Sequence, residues 1–456
     1  MRNALVRLVR LAVGLFYRRI EVAGEENVPR GGPVLFIANH NNGLVDPMVV
    51  LHALSRRVVF VAKSTLWRIP VLRSLLDLLG CVPVVRKGEG EPGISSKGEE
   101  RNRGSFERLA AEVDRGGCVL IFPEGRSHSD PRLSELRSGA ARVLLLSKRS
   151  PVVIPIGLWF GEKDIFRSDV LVKFGAPVPP PADPTVDAWT EAMGAALEAV
   201  TLNADDWKDH EVVAAVDALY GERVRRIFLE VEEKRVPGRG GDAAGLDRAF
   251  STRRALLAAR AALENTHPGE VASLARRALA FDHLLSRIRL SPSSLDDQPP
   301  IATIARHTLL ALLVVVLGFP VAVLGVVAWW IPYRLCGVVA NRVPGAATMR
   351  DQIALYKLIA GAILFPIALF LEAVAVWRIA GPTWAGVALA ALPFAGIFSL
   401  VFFEYATWRE SQARELLALA FRPGGIARLR AARGALIVEC DRLADAYRSQ
   451  ADNSRS

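Results

Sequence analysis

His40 and Asp46 are the residues of this chain whose types and spacing best suit acid–base chemistry, with five residues between them. They follow an apolar run at residues 33–38 that predicts a buried strand. Asp46 before Pro47 predicts a helix start, with Asp46 at the N-cap. Such a scaffold would hold the imidazole and the carboxylate together, and a histidine oriented by a carboxylate can act as a general base. Taken alone, the stretch fits a structural histidine beside a plain helix cap equally well.

Two more polar clusters follow predicted strands. Arg86 ends the first, at residues 80–86, and the second follows the apolar run at residues 118–122. The second cluster comprises Glu124, Gly125, Arg126, Ser127 and His128. An arginine donates two parallel hydrogen bonds to a phosphate, and a glycine lets the backbone approach a ligand closely. The alternatives are solvated arginines and a His128 that packs within its loop rather than touching a substrate.

Short apolar runs alternate with helical patterns over residues 20–180, which predicts an α/β domain with a mostly parallel sheet. The predicted strands lie at residues 34–38, 58–62, 82–85, 119–122, 152–156 and 171–174. The polar, glycine-rich residues 88–104 predict a mobile loop. Ligands of open α/β sheets bind outside the carboxyl ends of the strands, so we expect the polar clusters to meet at that edge.

The flanking sequence predicts regions of other kinds. Residues 1–20 combine apolar residues at helical spacing with arginines, which predicts an amphipathic helix lying on a bilayer; a packed N-terminal helix is the alternative. The predicted α/β domain covers residues 21–183. It is followed by a helical region at 184–290, a linker at 291–300, a membrane block at 301–408 and a basic cytoplasmic tail at 409–456.

The membrane block contains three long apolar segments, at residues 309–331, 353–376 and 383–403, each long enough to span a bilayer core. Arginines cluster at residues 334–350 and in the tail. Three full crossings would place arginine-bearing sequence on the side opposite the α/β domain. A re-entrant hairpin bending at residues 318–320 would leave two crossings and keep the arginines cytoplasmic. We favour the hairpin and expect the α/β domain on the cytoplasmic side.

Composition supports a membrane protein of a reducing compartment. The 456 residues carry a net charge of +10 and a mean hydropathy of +0.25. A basic balance suits nucleic acid or an anionic bilayer, and the apolar segments favour the bilayer. The four cysteines, far apart, show neither metal-ligand spacing nor a disulfide framework. We therefore expect membrane lipids as partners, and neither nucleic acid nor a bound metal.

Four blocks in order resemble the glycerolipid acyltransferase family, which includes glycerol-3-phosphate and lysophosphatidate acyltransferases. They lie at residues 39–47, 80–86, 122–125 and 153–157, and the match covers roughly residues 15–180. The resemblance implies acyl transfer from an acyl thioester, acyl-CoA or acyl-carrier protein, to a glycerol hydroxyl, with no bound cofactor. It implies that His40 is the general base and that Asp46 orients it.

The same resemblance implies that Arg86, Glu124 and Gly125 help to bind the acceptor phosphate, with Arg126 and Ser127 as further candidates. The common family form has four residues between the histidine and the aspartate, and Thr-Arg after Glu-Gly. Here five residues intervene, and Arg126 occupies the threonine position.

These departures, with the C-terminal membrane block, resemble a branch of glycerol-3-phosphate and dihydroxyacetone-phosphate acyltransferases known from fungi and many bacteria. We therefore expect acylation of glycerol-3-phosphate, toward phosphatidic acid, in the cytoplasmic membrane of a bacterium. Lysophosphatidate or another lysolipid is the alternative acceptor, and a non-catalytic membrane scaffold is the alternative from another class. The sequence leaves the acyl-chain length and the oligomeric state open.

Overall fold

The computed structural model describes residues 1–68, 70–85, 95–219, 245–288, 290, 295, 301–342, 352–421 and 423–453. The chain divides into two compact units. One, the α/β unit, is built mainly from residues 1–205, and the other, the helical unit, mainly from residues 206 onward.

A seven-stranded sheet lies at the centre of the α/β unit, in the order β1-β7-β6-β2-β5-β3-β4. Its strands are β1 (Arg19–Ala23), β2 (Val34–Ala38), β3 (Val58–Lys63), β4 (Val82–Val84), β5 (Cys118–Ile121), β6 (Val152–Phe160) and β7 (Asp169–Phe174). The five strands from β6 to β4 run parallel, while β7 is antiparallel to β6 and pairs in parallel with β1. All five residues of β2 are buried, as expected of a central parallel strand covered on both faces. The predicted mostly parallel sheet is confirmed.

Strand β1 was not predicted, because the charged residues Arg19 and Glu21 interrupt the apolar pattern. Charged residues alternate with apolar ones at the start of β1, as is common in an edge strand. The carboxylate of Glu21 accepts hydrogen bonds from the backbone N–H groups of Leu246 and Asp247, both at 2.9 Å. This edge is therefore covered by a later segment of the same unit.

The helices of the α/β unit are α1 (Arg2–Phe16), α2 (Val45–Ala53), α3 (Pro70–Leu79), α4 (Ser95–Asp114), α5 (Gly139–Leu146) and α6 (Val186–Glu198). Helices α4, α5 and α6 contribute Leu109, Val143 and Leu197 to one buried cluster with the sheet. The loop predicted at residues 88–104 is wrong from Ser95 onward, because α4 begins there; residues 86–94 lie outside the described residues. The polar run forms the start of a helix whose later turns are anchored in the core by Leu109 and Val113.

Gly157, in the fourth sequence block, has a packing role. A Cβ added there would lie 1.8 Å from the carbonyl oxygen of Val200, just beyond α6. Only a glycine therefore lets the backbone after α6 approach the middle of β6. Val200 itself is buried.

The described residues between 184 and 290 form the helices predicted there: α6 belongs to the α/β unit, and the others lie mainly in the helical unit. The helical unit contains residues 207–219 (α7), most of α8 (Leu246–Glu264), α9 (Pro268–Ile288) and α13 (Pro423–Asn453). Helix α13 packs against α9, with ion pairs from Arg277 to Glu439 and from Arg442 to Glu270. Much of the predicted basic tail is thus a packed helix.

Among the described residues, three helices are long and apolar enough to cross a membrane, over Leu312–Arg342, Ile353–Ala380 and Pro382–Thr407. They belong to α10 (Ile301–Arg342), α11 (Ile353–Ala380) and α12 (Pro382–Phe421). The predicted hairpin at residues 318–320 is wrong, because α10 continues through Gly318 and Pro320. A Cβ on Gly318 would lie 2.8 Å from the ring of Phe402, so this glycine permits close packing of α10 on α12 rather than a turn.

Helices α10 and α12 run antiparallel. Gly318 faces Phe402, Gly325 faces Ala395, and the indole N–H of Trp329 donates to the carbonyl of Leu392 at 2.7 Å. Residue numbers thus rise along one helix as they fall along the other.

Candidate active site

His40 and Asp46 lie together at the carboxyl end of β2, as predicted. The loop of residues 39–46, called here the His40 loop, leaves β2 and enters α2. The Nδ1 atom of His40 lies 2.8 Å from Oδ2 of Asp46, and the backbone N–H of Asn42 donates to the same oxygen at 2.8 Å. The Asp46 side chain is fully buried, whereas that of His40 is 12% exposed. The aspartate is thus fixed inside the protein, and the histidine keeps a route to a substrate.

The prediction that Asp46 is the N-cap of α2 is wrong. The helix begins at Val45 with Leu44 as its N-cap, so Asp46 lies within the first turn. Its carboxylate accepts from Asn42 and His40, which precede the helix, because the loop folds back over the helix start. The arrangement favours the orienting role of Asp46 over the capping role.

Burial raises the pKa of the Asp46 carboxyl above its ordinary value. The hydrogen bond and charge of His40, the N–H of Asn42 and the ammonium of Lys163 act in the opposite direction. The second carboxylate oxygen, Oδ1, is buried and makes no hydrogen bond. An ionised Asp46 is therefore costly to the fold, as is common for a carboxylate with a chemical role.

The His40 ring stacks on Phe122, which follows β5, with centroids 4.2 Å apart and an interplanar angle of 22°. On the preceding residue, the side-chain amide of Asn39 donates to the carbonyl of Leu158 at 3.0 Å and accepts from its N–H at 2.7 Å. These contacts from β5 and β6 restrict the imidazole and the start of the loop.

Glu124 holds the backbone of His40. Its carboxylate accepts from the N–H of His40 at 2.7 Å, from the N–H of Ser134 at 2.8 Å and from Nε2 of His128. The N–H of His128 donates to the carbonyl of His40 at 3.1 Å, so both backbone polar groups of His40 are bonded. Glu124 and His128 are buried, which agrees with the loop-packing interpretation of His128. A contact of Glu124 with phosphate stays a prediction.

The other predicted binding residues differ in placement. Gly125 adopts a left-handed conformation with φ +71° and donates its N–H to the carbonyl of Phe122 at 3.0 Å, which closes a turn. The side chain of Arg126 is 62% exposed and lies 3.4 Å from Asp130, while Ser127 is half-buried. Arg86 lies outside the described residues, so its phosphate role also stays a prediction.

Three residues at the site were not identified from the sequence. Asn42 donates through Nδ2 to the hydroxyl of Tyr17 and to the carbonyl of Lys163, both at 3.0 Å. The ammonium of Lys163 donates to the carbonyl of Asn41 at 2.9 Å and to the hydroxyl of Ser129. Asn42 lies inside the His40–Asp46 motif, which was a usable signal. Tyr17 and Lys163 are distant in sequence and carried none.

The geometry suits general-base chemistry. Since Nδ1 of His40 is engaged by Asp46, Nε2 is the nitrogen left to face a substrate. In the neutral ring Nδ1 carries the proton and Nε2 the lone pair, as in a base that removes a hydroxyl proton. Across the described part of the chain, no three His, Cys, Asp or Glu side chains are grouped so as to hold a metal ion.

Comparison with known proteins gives a consistent family. The family model described as Acyltransferase matches residues 19–159. An uncharacterised acyltransferase of Schizosaccharomyces pombe is 24% identical over 47% of this chain and 46% of its own length. Glycerol-3-phosphate O-acyltransferase 1 of Saccharomyces cerevisiae is 23% identical over 45% of this chain and 40% of its own length. The chain thus spans less than half the length of these two relatives.

A bacterial relative is the 1-acyl-sn-glycerol-3-phosphate acyltransferase of Borreliella burgdorferi, 24% identical over 39% of this chain and 66% of its own length. Among solved structures, the 1-acyl-sn-glycerophosphate acyltransferase of Thermotoga maritima matches 44% of this chain and 80% of its own, at 17% identity. Its TM-score of 0.34 is too low to support an inference. The segment matched by the family model contains both His40 and Asp46. The chain therefore carries an acyltransferase-family domain, with glycerolipid acyltransferases among its relatives.

Proposed function

We propose that this protein is a membrane-bound O-acyltransferase that moves a fatty acyl group from an acyl thioester to the hydroxyl of glycerol-3-phosphate. The observation that carries the proposal is the 2.8 Å contact between Nδ1 of His40 and the buried Asp46 at the carboxyl end of β2. The donor, acyl-CoA or acyl-carrier protein, is a co-substrate, and the proposal requires no bound cofactor.

The proposed step is direct transfer. Nε2 of His40 takes the proton of the acceptor hydroxyl while that oxygen bonds to the thioester carbonyl carbon. The C–S bond then breaks, and the proton passes from the imidazolium to the leaving sulfur. Asp46 stabilises the imidazolium and fixes its tautomer. General-base assistance of this kind is worth roughly a hundred- to ten-thousand-fold in rate.

Two acceptors have support. Two features favour glycerol-3-phosphate. The relative from Saccharomyces cerevisiae is named for it, and the five residues between His40 and Asp46 resemble the branch that acylates glycerol-3-phosphate. The relative from Borreliella burgdorferi favours 1-acylglycerol-3-phosphate as the second candidate. Both acceptors carry a phosphate, for which Arg86 is the proposed ligand.

We place the protein in a bacterial cytoplasmic membrane, with the α/β unit on the cytoplasmic side and membrane lipids as its surroundings. Helix α9 precedes the three apolar helices α10 to α12 in sequence, and α13 follows them. Helices α9 and α13 pack on each other through two ion pairs. They must lie on the same side of a bilayer, so the number of complete crossings between them is even. The antiparallel pair α10 and α12 supplies two crossings. On this topology α11 does not cross completely, and Arg334 and Arg342 at the end of α10 lie on the side opposite α9 and α13, contrary to the expectation that all arginine-bearing segments are cytoplasmic.

Cysteine labelling tests this topology. Ser286→Cys in α9 and Ser449→Cys in α13 place thiols at exposed positions, while the four native cysteines are buried. In sealed vesicles of known orientation, a membrane-impermeant maleimide should label both introduced thiols from the same side. Labelling from opposite sides would show an odd number of crossings and refute the topology.

An acyl-transfer assay tests the activity. The full chain, solubilised in detergent, is given labelled acyl-CoA with glycerol-3-phosphate or lysophosphatidate. His40→Ala should lower turnover at least a hundredfold, whereas His283→Ala, at an exposed site on α9, should leave it unchanged. Wild-type turnover by His40→Ala would refute the mechanism. Faster transfer to lysophosphatidate would replace the acceptor and keep the reaction class.

A further inference from the structure

Tyr17, the residue after α1, reaches the His40 loop from outside the sequence motifs. Its side chain is almost completely buried, and its ring contacts Phe16 and Phe160 with centroids 4.9 and 5.7 Å away. Phe160 is the last residue of β6, so the phenol lies at the same edge of the sheet as His40. A tyrosine enclosed in this way holds its hydroxyl in a defined position.

The Tyr17 hydroxyl is bonded on two sides. It accepts from Nδ2 of Asn42 at 3.0 Å and donates to the carbonyl of Lys163 at 3.1 Å. Burial raises the pKa of the phenol above its ordinary value, so the hydroxyl stays neutral and able to donate. The two bonds join the His40 loop to the segment between β6 and β7.

From Asn42 the contacts lead directly to the base. The side chain of Asn42 is held by Tyr17 and Lys163, while its backbone N–H donates to Oδ2 of Asp46 at 2.8 Å. That oxygen is the one that meets Nδ1 of His40. A displaced Asn42 would shift the carboxylate oxygen that orients the imidazole.

Helix α1 is also fixed at the far end of α2. The guanidinium of Arg10 donates to the carbonyls of Leu51 at 3.0 Å and Leu54 at 2.6 Å, and Nδ1 of His52 lies 3.1 Å from the carbonyl of Arg10. The N–H of Arg167 donates to the carbonyl of Phe16 at 2.7 Å. Tyr17 therefore projects from a helix that is anchored independently of its own hydroxyl.

We propose that Tyr17 is a positioning residue of the active site: through Asn42, its hydroxyl holds the His40 loop so that Asp46 meets Nδ1 of His40. The proposal rests on the proposed acyl transfer. It assigns part of the active site to the residue that follows the N-terminal helix. The effect should fall on the chemical step rather than on substrate binding, because Tyr17 is buried behind the loop.

The test is Tyr17→Phe, which removes one oxygen atom and leaves the ring packing intact. Of the two hydrogen bonds lost, the one from Asn42 acts on the base, so we expect kcat to fall about three- to tenfold, with KM for donor and acceptor within twofold of wild type. The matched control is Tyr447→Phe in α13, a tyrosine equally buried in the helical unit, which should leave kcat unchanged.

A double-mutant cycle identifies the route of the effect. In an Asn42→Ala background, Tyr17→Phe should change kcat less than twofold, because the link that it acts through is already gone. If Tyr17→Phe alone kept kcat within twofold of wild type, the proposal would be overturned. An equal loss in Tyr447→Phe, or an additive loss in the Asn42→Ala background, would also overturn it. The His40→Ala assay run in parallel reports separately on the proposed function, since it does not depend on Tyr17.

Discussion

The Asp46→Asn substitution separates the chemical role of this residue from its structural cost. Asparagine has nearly the same shape, and its Oδ1 can still accept from the N–H of Asn42. It brings no charge to stabilise an imidazolium, and its amide nitrogen takes the position of the unpartnered Oδ1 rather than the one that meets His40. We expect kcat to fall roughly a hundred- to ten-thousand-fold.

The same substitution should not destabilise the protein at neutral pH. The folded-state pKa of Asp46 is raised by burial, so its contribution to stability is present at low pH and is lost as pH rises through that pKa. Each unit of elevation corresponds to about 1.4 kcal/mol. Asparagine does not titrate, so the Tm of Asp46→Asn relative to wild type should rise as the pH increases above the unfolded-state pKa of about 4. The new amide hydrogens, placed where Oδ1 has no partner, reduce this gain.

Two measurements check the reasoning: single-turnover acyl transfer at saturating substrates, and thermal unfolding in detergent at several pH values. Asp183→Asn, at an exposed site, is the matched control and should change neither. A variant with unchanged kcat would refute the orienting role of Asp46. If its Tm relative to wild type instead fell as pH rose, ionised Asp46 would stabilise the fold, and the account of its burial would be wrong.

Other substitutions test the surrounding structure. Glu124→Gln should lower Tm and kcat together, at a cost of about 1–3 kcal/mol, because an amide NH2 would face backbone or imidazole donors; an unchanged Tm measured by thermal unfolding would contradict this. Gly157→Ala should cost about 3 kcal/mol in denaturant unfolding, because its methyl group would overlap the carbonyl oxygen of Val200; normal stability would show that the segment can shift. Arg86→Ala should raise KM for a phosphate-bearing acceptor at least tenfold, whereas Arg126→Ala, at an exposed site, should change it less than twofold. Equal effects in these kinetics would mean that Arg126 also binds the phosphate.

The strands were predictable where burial on both faces leaves a run of apolar residues. Residues 34–38 were predicted as a strand and form β2, with all five residues buried. The edge strand β1 was missed, because the charges of Arg19 and Glu21 are satisfied by solvent and by a segment more than two hundred residues away in sequence.

Glycine and proline misled the prediction where packing determines the structure. Gly318 and Pro320 predict a turn in water, yet in α10 the glycine gives Phe402 its space and the helix continues. Aspartate before Pro47 predicts an N-cap, yet the carboxylate of Asp46 accepts hydrogen bonds from His40 and Asn42 instead. In each case a contact with another part of the fold replaces the local preference.

The site was predictable as far as its motif extends. His40 and Asp46 lie on one short loop, so their proximity follows from sequence. The anchoring of that loop by Glu124, Lys163 and Tyr17 follows from strand order, which brings the ends of β2, β5 and β6 together. Spacing along the chain does not encode these contacts.

The side-chain amide of Asn39 has a consequence for how this loop can vary in length. Strand β2 ends its backbone pairing with β6 at Ala38, and Asn39 then supplies one donor and one acceptor to Leu158, as the backbone of another strand residue would. A side chain therefore completes the hydrogen-bond ladder between β2 and β6, and the main chain leaves the sheet at Asn39. An extra residue between the histidine and the aspartate can then be accommodated downstream without shifting the register of the sheet. The five residues between His40 and Asp46 therefore lie outside the strand pairing, which ends at the Asn39 side chain.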